Sequence, residues 1–525
     1  MSNRLAFFAH TSGGRISRPP LRLALAILVP FALVLLPIAY VLLRGIEAGP
    51  SGIVSDLLRP YTLNLLRNTL EIATFVPILA GSIAIAAAWC TERCDLPYAR
   101  LWRLAIALPL AMPAYVSSFS WSSLGPAFQE MLGAILILTF YSVPLMYLPI
   151  TAALRGLDPS LDDVARSLGQ SRFSIFRRVV LPQIRPALAG GALLVSSHML
   201  AEFGALSFLR VETFTTAIFE QYNAQFNNRT AALLSGVLML LCLPVAFAEA
   251  RLRRHRIARM GRGNARKPVL LRLGPWRIPA LLGLATLTAL SFGVPLVTLG
   301  FWLHEGTSAG QGITAIWPAL LGSLGYAVPG AVLTTVLAIP LVIATTYHRG
   351  KLALFADRLP YLVHGLPGIV VALAAVWFAI RYAGPIYQTS FLVLLVYAVL
   401  TLPVAQSSIR ASAELVPREF GDIARSLGDS PFRAFIRATL PNLMPGIGAA
   451  GALVALWLMR ELTATLLLAP AGTVTLATEF WNLTADRAYG AAAPFAAALV
   501  VLSGIPVTIF TMRSLRTDDT QIDMQ

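Results

Sequence analysis

Long apolar runs alternate with short basic segments along the whole chain. A helix needs about 20 mostly apolar residues to cross about 30 Å of hydrocarbon. Twelve stretches meet that length: 21–43, 68–91, 102–122, 131–154, 187–208 and 230–250, then 278–303, 322–346, 360–381, 388–409, 444–468 and 490–512. The pattern predicts an all-α membrane protein of about 12 transmembrane helices. Pro30, Pro109, Pro144, Pro340 and Pro367 fall inside these stretches. Lipid-embedded helices tolerate them, because neighbouring helices and local adjustments re-satisfy the freed backbone groups. The stretch 21–43 is too long for a signal-peptide core and lacks a small-residue cleavage site, so no cleavable leader is expected.

Composition agrees. The chain is 57% hydrophobic and 13% charged, about half the charged share that covers a soluble protein with water-facing surface. The formal charge of +16 could point to nucleic acid, but Lys and Arg lie in segments between apolar runs and not along one helix face. Placing the N-terminus, with Arg4, Arg15, Arg18 and Arg22, in the cytosol puts most of the basic residues on cytoplasmic segments, as the positive-inside rule requires. Both termini are then cytoplasmic. The segment 251–277 has ten Lys/Arg and no Asp or Glu, and reads as a cytoplasmic linker beside anionic lipid. Cys90, Cys94 and Cys242 complete no metal set and are expected to stay reduced.

The chain repeats itself. Asp163-Val-Ala-Arg-Ser-Leu-Gly169 recurs as Asp422-Ile-Ala-Arg-Ser-Leu-Gly428, Leu181-Pro182 as Leu440-Pro441, and Glu202 as Glu461, all at an offset of 259 residues. Duplication is the better account of such a match. It divides the chain into a first half, 1–250, the linker 251–277, and a second half, 278–525. Six spans separate corresponding points, so the copies share one topology and both hairpins, near 155–185 and 410–443, should emerge in the cytosol. Each hairpin interleaves charged and apolar residues as two short amphipathic helices, with Gly169 or Gly428 allowing the turn between them. Two matched handles favour a docking role over a hairpin lying on the membrane surface.

These residues resemble the EAA loop of the inner-membrane subunits of binding-protein-dependent ABC importers. That pattern is Glu-Ala-Ala, three residues, Gly, nine residues, then Ile-x-Leu-Pro. Here Asp163, Ala165, Gly169, Leu181 and Pro182 occupy it once, and Asp422, Ala424, Gly428, Leu440 and Pro441 again. Asp replaces Glu and a β-branched residue replaces the first Ala in both. The blocks Glu461–Trp481 and Ala201–Phe219 are similar to those of fused ferric-iron permeases; fused thiamine permeases share the architecture. The resemblance implies a type I ABC importer transmembrane fold, a cell inner-membrane location and a permease role, with ferric iron the favoured cargo and thiamine or another small solute the alternative. It implies that those ten residues couple to a dimer of ATP-binding cassette subunits, which would use ATP and Mg, and that a periplasmic substrate-binding protein delivers the cargo. No Gly-x-x-x-x-Gly-Lys-Ser/Thr loop occurs in the chain, so it is expected to bind no cofactor itself and not to be an enzyme.

Carboxylates at membrane depth are costly and usually face a cavity or a partner. Glu202 and Glu461 hold equivalent places within spans five and eleven; at 1.5 Å per residue from Ala187, Glu202 lies about 22 Å from the cytoplasmic start. They are candidates for the substrate pathway, since a hard cation prefers oxygen ligands. The competing reading is that Arg460 or a backbone group neutralises them. Thr213, Thr215 and Thr475 are weaker lining candidates. No stable metal site is expected, because transport requires release. A secondary transporter with parallel repeats is the rival function class, but it has no need of two matched cytoplasmic hairpins. The six scattered histidines form no HExxH or other catalytic set.

Overall fold

In a computed structural model of the chain, the described residues are 21–257, 270–308, 315–348, 350, 352–357, 366–416 and 419–520. Among them every regular element is helical, apart from one isolated bridge between Cys94 and Leu271. The first half runs α1 (Leu21–Leu57), α2 (Pro60–Arg93), α3 (Ala99–Ala107), α4 (Ala114–Ser122), α5 (Met131–Arg155), α6 (Pro159–Ser167), α7 (Arg172–Ile175), α8 (Leu181–Ala201), α9 (Gly204–Phe208), α10 (Phe214–Asn223) and α11 (Asn228–Ile257). The second runs α12 (Arg277–Thr288), α13 (Val294–Ser308), α14 (Ile316–Tyr347), α15 (Gly368–Tyr382), α16 (Ser390–Ala413), α17 (Glu419–Ser426), α18 (Pro431–Ala434), α19 (Leu440–Leu458), α20 (Thr463–Leu468), α21 (Leu476–Ala485) and α22 (Tyr489–Thr520).

The apolar stretches are not twelve uniform spans. Nine described helices are long and apolar enough to cross a membrane, and a tenth candidate, Ala99–Ala111 with Ala114–Ser122, is bent by 89°. The predicted span 490–512 lies within the long helix α22 (Tyr489–Thr520); of the predicted span 360–381, residues 360–365 lie outside the described ones and the rest holds α15. Proline chemistry explains part of the difference. Pro30, Pro144 and Pro340 stay inside long helices. Pro109 instead lies in a 3-10 turn, Pro113 precedes α4 and Pro367 precedes α15. A proline pushes the residue before it out of the helical region, and Met112 before Pro113 is extended accordingly, at φ −101° and ψ 128°.

The halves exchange their first helices. Ile27 and Val34 of α1 belong to the buried cluster built by α14, α15, α16 and α19. Leu284 and Leu287 of α12 join the cluster of the first half, and α13 packs on α4 and α22. Helix α11 carries the basic linker on to Ile257, while 258–269 lie outside the described residues. The end of the linker is stitched to the first half: Leu271 N donates to Arg93 O at 2.8 Å, Asp95 N to Leu271 O at 3.0 Å, and Leu273 N to Asp95 Oδ1 at 2.8 Å.

This stitching fixes the relative direction of the hairpins. The seventh span starts at Gly274, just after Leu271 at the base of the first hairpin, and reaches Trp302, whose Nε1 donates to Ser123 Oγ at 3.1 Å at the far end. Helix α14 starts beside Val474 and runs back to Thr345, which accepts from Arg410 at the base of the second hairpin. Both hairpins therefore leave the same end of the molecule.

One buried charge cluster locks the base of the first hairpin. Glu92, its side chain 6% exposed, pairs with Arg103 at 2.8 Å and accepts hydrogen bonds from Arg155 at 2.9 and 3.0 Å. Removing one partner of such a cluster leaves uncompensated buried charge, at a cost of about 3–5 kcal/mol. Glu92→Ala is expected to lower the detergent-solubilised thermal midpoint and the yield of folded protein. An unchanged melting curve would mean that the cluster is solvated.

Candidate functional site: twin hairpins and a central cavity

The hairpins are built alike from the backbone outwards. In the first, Asp158 caps α6 by accepting from Ser160 N at 2.9 Å. That backbone bond holds its carboxyl below the usual carboxylate range. Gly169 follows α6 at φ +74° and Gly428 follows α17 at φ +94°, in the left-handed region that favours glycine. A Cβ at either position would meet nothing within 4 Å, so glycine is required by conformation and not by space. Both hairpins then re-enter through a single π-turn, Phe176–Val180 and Phe435–Thr439. Pro182 and Pro441 follow; each lacks an N–H and crowds the carbonyl four residues earlier, and the wider turn absorbs this.

Ala165 is buried and Ala424 half-buried beneath exposed apolar side chains. Val164 and Leu168 are 56% and 73% exposed, and Ile423 and Leu427 are 55% and 83% exposed. Two apolar ridges thus project from one end of the molecule with nothing among the described residues covering them. The side chains of Asp163 and Asp422 lie outside the described ones; their backbones sit in α6 and α17.

The second feature is a cavity of about 310 Å³ between the halves. Leu194, Ser197, His198 and Ala201 of α8 line it at helical spacing, followed by Glu202; Trp457, Arg460 and Glu461 face them from the second half. It extends towards the hairpin end, where Glu249 joins the lining. The expectation that Glu202 and Glu461 lie within continuous spans is corrected. Helix α8 stops at Ala201 and α19 at Leu458, and each carboxylate sits at the break before a short helix. Glu202 Oε1 accepts from Ala205 N at 2.9 Å, and Glu461 Oε1 from Ala464 N at 3.1 Å. These N–H groups at the helix start have no intrahelical partner, so the carboxylates satisfy them. Three broken helices meet here, since Pro113 and Ala114 at the break between α3 and α4 also line the cavity, and Leu366 and Gly368 at the start of α15 line it as well. A Cβ on Gly368 would lie 3.5 Å from Glu461 Oε1.

Arg460 does not pair with either carboxylate among the described residues. Its Nη1 donates to Leu110 O at 3.3 Å, and its own carbonyl accepts from Tyr115 Oη at 3.3 Å. His198 Nε2 lies 3.6 Å from Glu202 Oε2. No three His, Cys, Asp or Glu side chains converge closely enough to hold a metal ion among the described residues.

The threonine candidates do other work. Thr213 and Thr475 cap α10 and α21 with capping boxes, and Thr215 Oγ1 donates to Glu202 O at 2.6 Å. All three are at most 4% exposed and outside the cavity lining. The hydroxyls of Thr213 and Thr475 are engaged at helix starts and that of Thr215 by the carbonyl of Glu202.

Beyond the carboxylates, on the side away from the hairpins, aromatic rings of both halves close over the cavity. Phe203 lies 5.3 Å from Trp481 and Phe208 5.2 Å from it, and Phe119 lies 5.2 Å from Phe480, centroid to centroid. Trp481→Ala should open this side. In a variant carrying Ala201→Cys, a membrane-impermeant thiol reagent added on the side away from the hairpins is expected to label about tenfold faster once Trp481 is truncated, given that buried aromatic pairs are worth about 0.5–1.5 kcal/mol beyond their area. Equal labelling rates would show that the rings do not form the closure.

Two pseudo-equivalent halves, hairpins projecting from one end and a cavity of broken helices between them define a transport permease. The chain belongs to the family of binding-protein-dependent transport system inner membrane components, whose model matches residues 12–257 and again 336–516. It is thus a multi-pass inner-membrane protein in which that unit occurs twice. Among its relatives it is 42% identical over 93% of its length to 98% of the Fe(3+)-transport system permease protein FbpB 2 of Haemophilus influenzae. It is 22% identical over 87% of its length to 72% of the ferric transport system permease protein FbpB of Actinobacillus pleuropneumoniae. The sulfate transport system permease protein CysT of Escherichia coli matches 43% of the chain at 25% identity, over 90% of its own length.

Proposed function

We propose that this permease admits ferric iron, handed over by a periplasmic binding protein and driven by a separate ATP-binding cassette dimer. In this reading the hairpins and both termini face the cytosol, in keeping with the positive-inside rule. Each uncovered ridge, around Gly169 and Gly428, seats in one ATPase subunit; Asp163, Ala165, Leu181, Pro182 and their counterparts Asp422, Ala424, Leu440 and Pro441 shape the seat. ATP and Mg²⁺ are bound by those subunits. Their closure swings the halves about the cavity between inward-open and outward-open states.

The observation that carries the reading is the pairing of two matched, uncovered hairpins with a cavity whose carboxylates come one from each half. The cavity as described extends towards the hairpins and is roofed by aromatic rings on the other side, as an inward-facing carrier requires. Ferric iron is favoured over thiamine by the relative in Haemophilus influenzae, which shares nearly the full length, and by the two carboxylates, since hard cations take oxygen ligands. The test is ATP-dependent uptake in vesicles containing the full complex and its binding protein, with ferric iron, thiamine and polyamines compared. Iron uptake alone is the expected result. Thiamine uptake in its place would overturn the cargo, and any uptake without the ATPase would overturn the mechanism.

A further inference from the structure

The charges in the cavity are not those of a simple cation path. Glu202 and Glu461 enter it one from each half, and Arg460 enters beside Glu461. In the repeat Arg460 stands where the first half has Ala201, so the guanidinium is an addition to one side only. If it served merely to neutralise the carboxylates it would bridge them. Instead it crosses to the other half, where Nη1 reaches Leu110 O at 3.3 Å, next to the helix break at Pro113. A guanidinium carries five N–H donors in a fixed fork, and this bond uses one; no other acceptor engages the fork among the described residues. His198, stacked on Tyr141 with centroids 5.9 Å apart, adds a second nitrogen group that is cationic when protonated. Glu249, at the hairpin end, has a partner of its own.

Uncompensated charge at membrane depth is costly. A trivalent ion lodged between two carboxylates and a guanidinium leaves net positive charge in the cavity and repels Arg460. An iron that still holds an oxyanion removes both difficulties. The carboxylates then face the metal as hard oxygen donors, and the guanidinium fork takes the oxyanion through parallel charge-assisted hydrogen bonds.

Resting on the iron reading above, we propose that the cavity passes ferric iron together with an oxyanion ligand, a phosphate or a carboxylate, with Glu202 and Glu461 towards the metal and Arg460 towards the anion. The test uses proteoliposomes holding the complete transporter, given binding protein loaded with radioactive iron and, in separate arms, labelled phosphate or labelled citrate. ATP-dependent entry of iron with equimolar label in one arm is expected, and the arm identifies the anion. Arg460→Gln should lower iron and anion entry together by about tenfold, the scale of a charge-assisted hydrogen bond. Arg460→Lys, which keeps the charge without the fork, should retain an intermediate rate and serves as the folding control. Iron entering without either anion overturns the co-transport inference and leaves the iron reading standing. Arg460→Gln working at the wild-type rate overturns it as well. No iron entering the wild-type vesicles overturns the iron reading, and this inference with it.

Discussion

Replacing Gly169 and Gly428 together by valine is expected to reduce uptake by about tenfold or more while ATP hydrolysis by the complex continues. Both glycines sit at positive φ, +74° and +94°, in open space. A β-branched residue forced into that region costs about 1–2 kcal/mol, and every 1.4 kcal/mol is about tenfold in an equilibrium. The strain is relieved by turning the second hairpin helix away from the first, which misplaces the exposed ridge formed by Val164 and Leu168 or by Ile423 and Leu427. Packing within this chain is untouched, so the protein should still fold and insert. Asparagine, which tolerates the left-handed region better than other non-glycine residues, should give a milder defect at the same positions. Measuring uptake and phosphate release in the same proteoliposomes separates the outcomes. Wild-type uptake in the double valine variant would remove the hairpins from the coupling path.

The second large effect is expected from Glu202→Gln combined with Glu461→Gln, which should lower iron uptake by about tenfold or more, each single change giving a partial loss; a hard cation loses its anionic oxygen donors in both. Glutamine is the informative replacement. Its amide oxygen can still accept from Ala205 N or Ala464 N, so the starts of α9 and α20 keep their partner and only the charge is lost. Alanine would also remove the cap, at about 1 kcal/mol, and mix a folding defect with a transport defect. Iron uptake at the wild-type rate in the double glutamine variant, with normal protein levels, would leave the carboxylates a purely structural role.

The hairpins were legible in the sequence because their information is local. A heptapeptide repeated at one offset, a glycine after each short amphipathic segment and a Leu-Pro pair at fixed spacing need no tertiary contact to be recognised. The left-handed glycines and paired short helices follow from those residues alone. The two carboxylates were found for a related reason, since ionisable residues are rare in apolar runs.

Span geometry was less legible. Length and apolarity count residues but do not register that Pro113 lies at an 89° break, whereas Pro30 and Pro340 stay inside long helices. The signal available was the pair Met112-Pro113 and Leu366-Pro367, at nearly the repeat offset. Whether such a proline bends or breaks a helix depends on what else can satisfy the freed backbone groups, and that is settled by neighbours distant in sequence.

By itself the sequence determined the class of solvent, the duplication, the common direction of the two handles and the presence of two carboxylates at equivalent positions. The tertiary structure decided how these meet: the exchange of α1 and α12 between halves, the three helix breaks around one cavity, the engagement of Thr213, Thr215 and Thr475 by backbone groups, and the reach of Arg460 to Leu110. Hydrophobic periodicity and repeats record what each segment prefers in isolation. A cavity exists only where segments from both halves fail to fill the space between them, and no single stretch of chain encodes that.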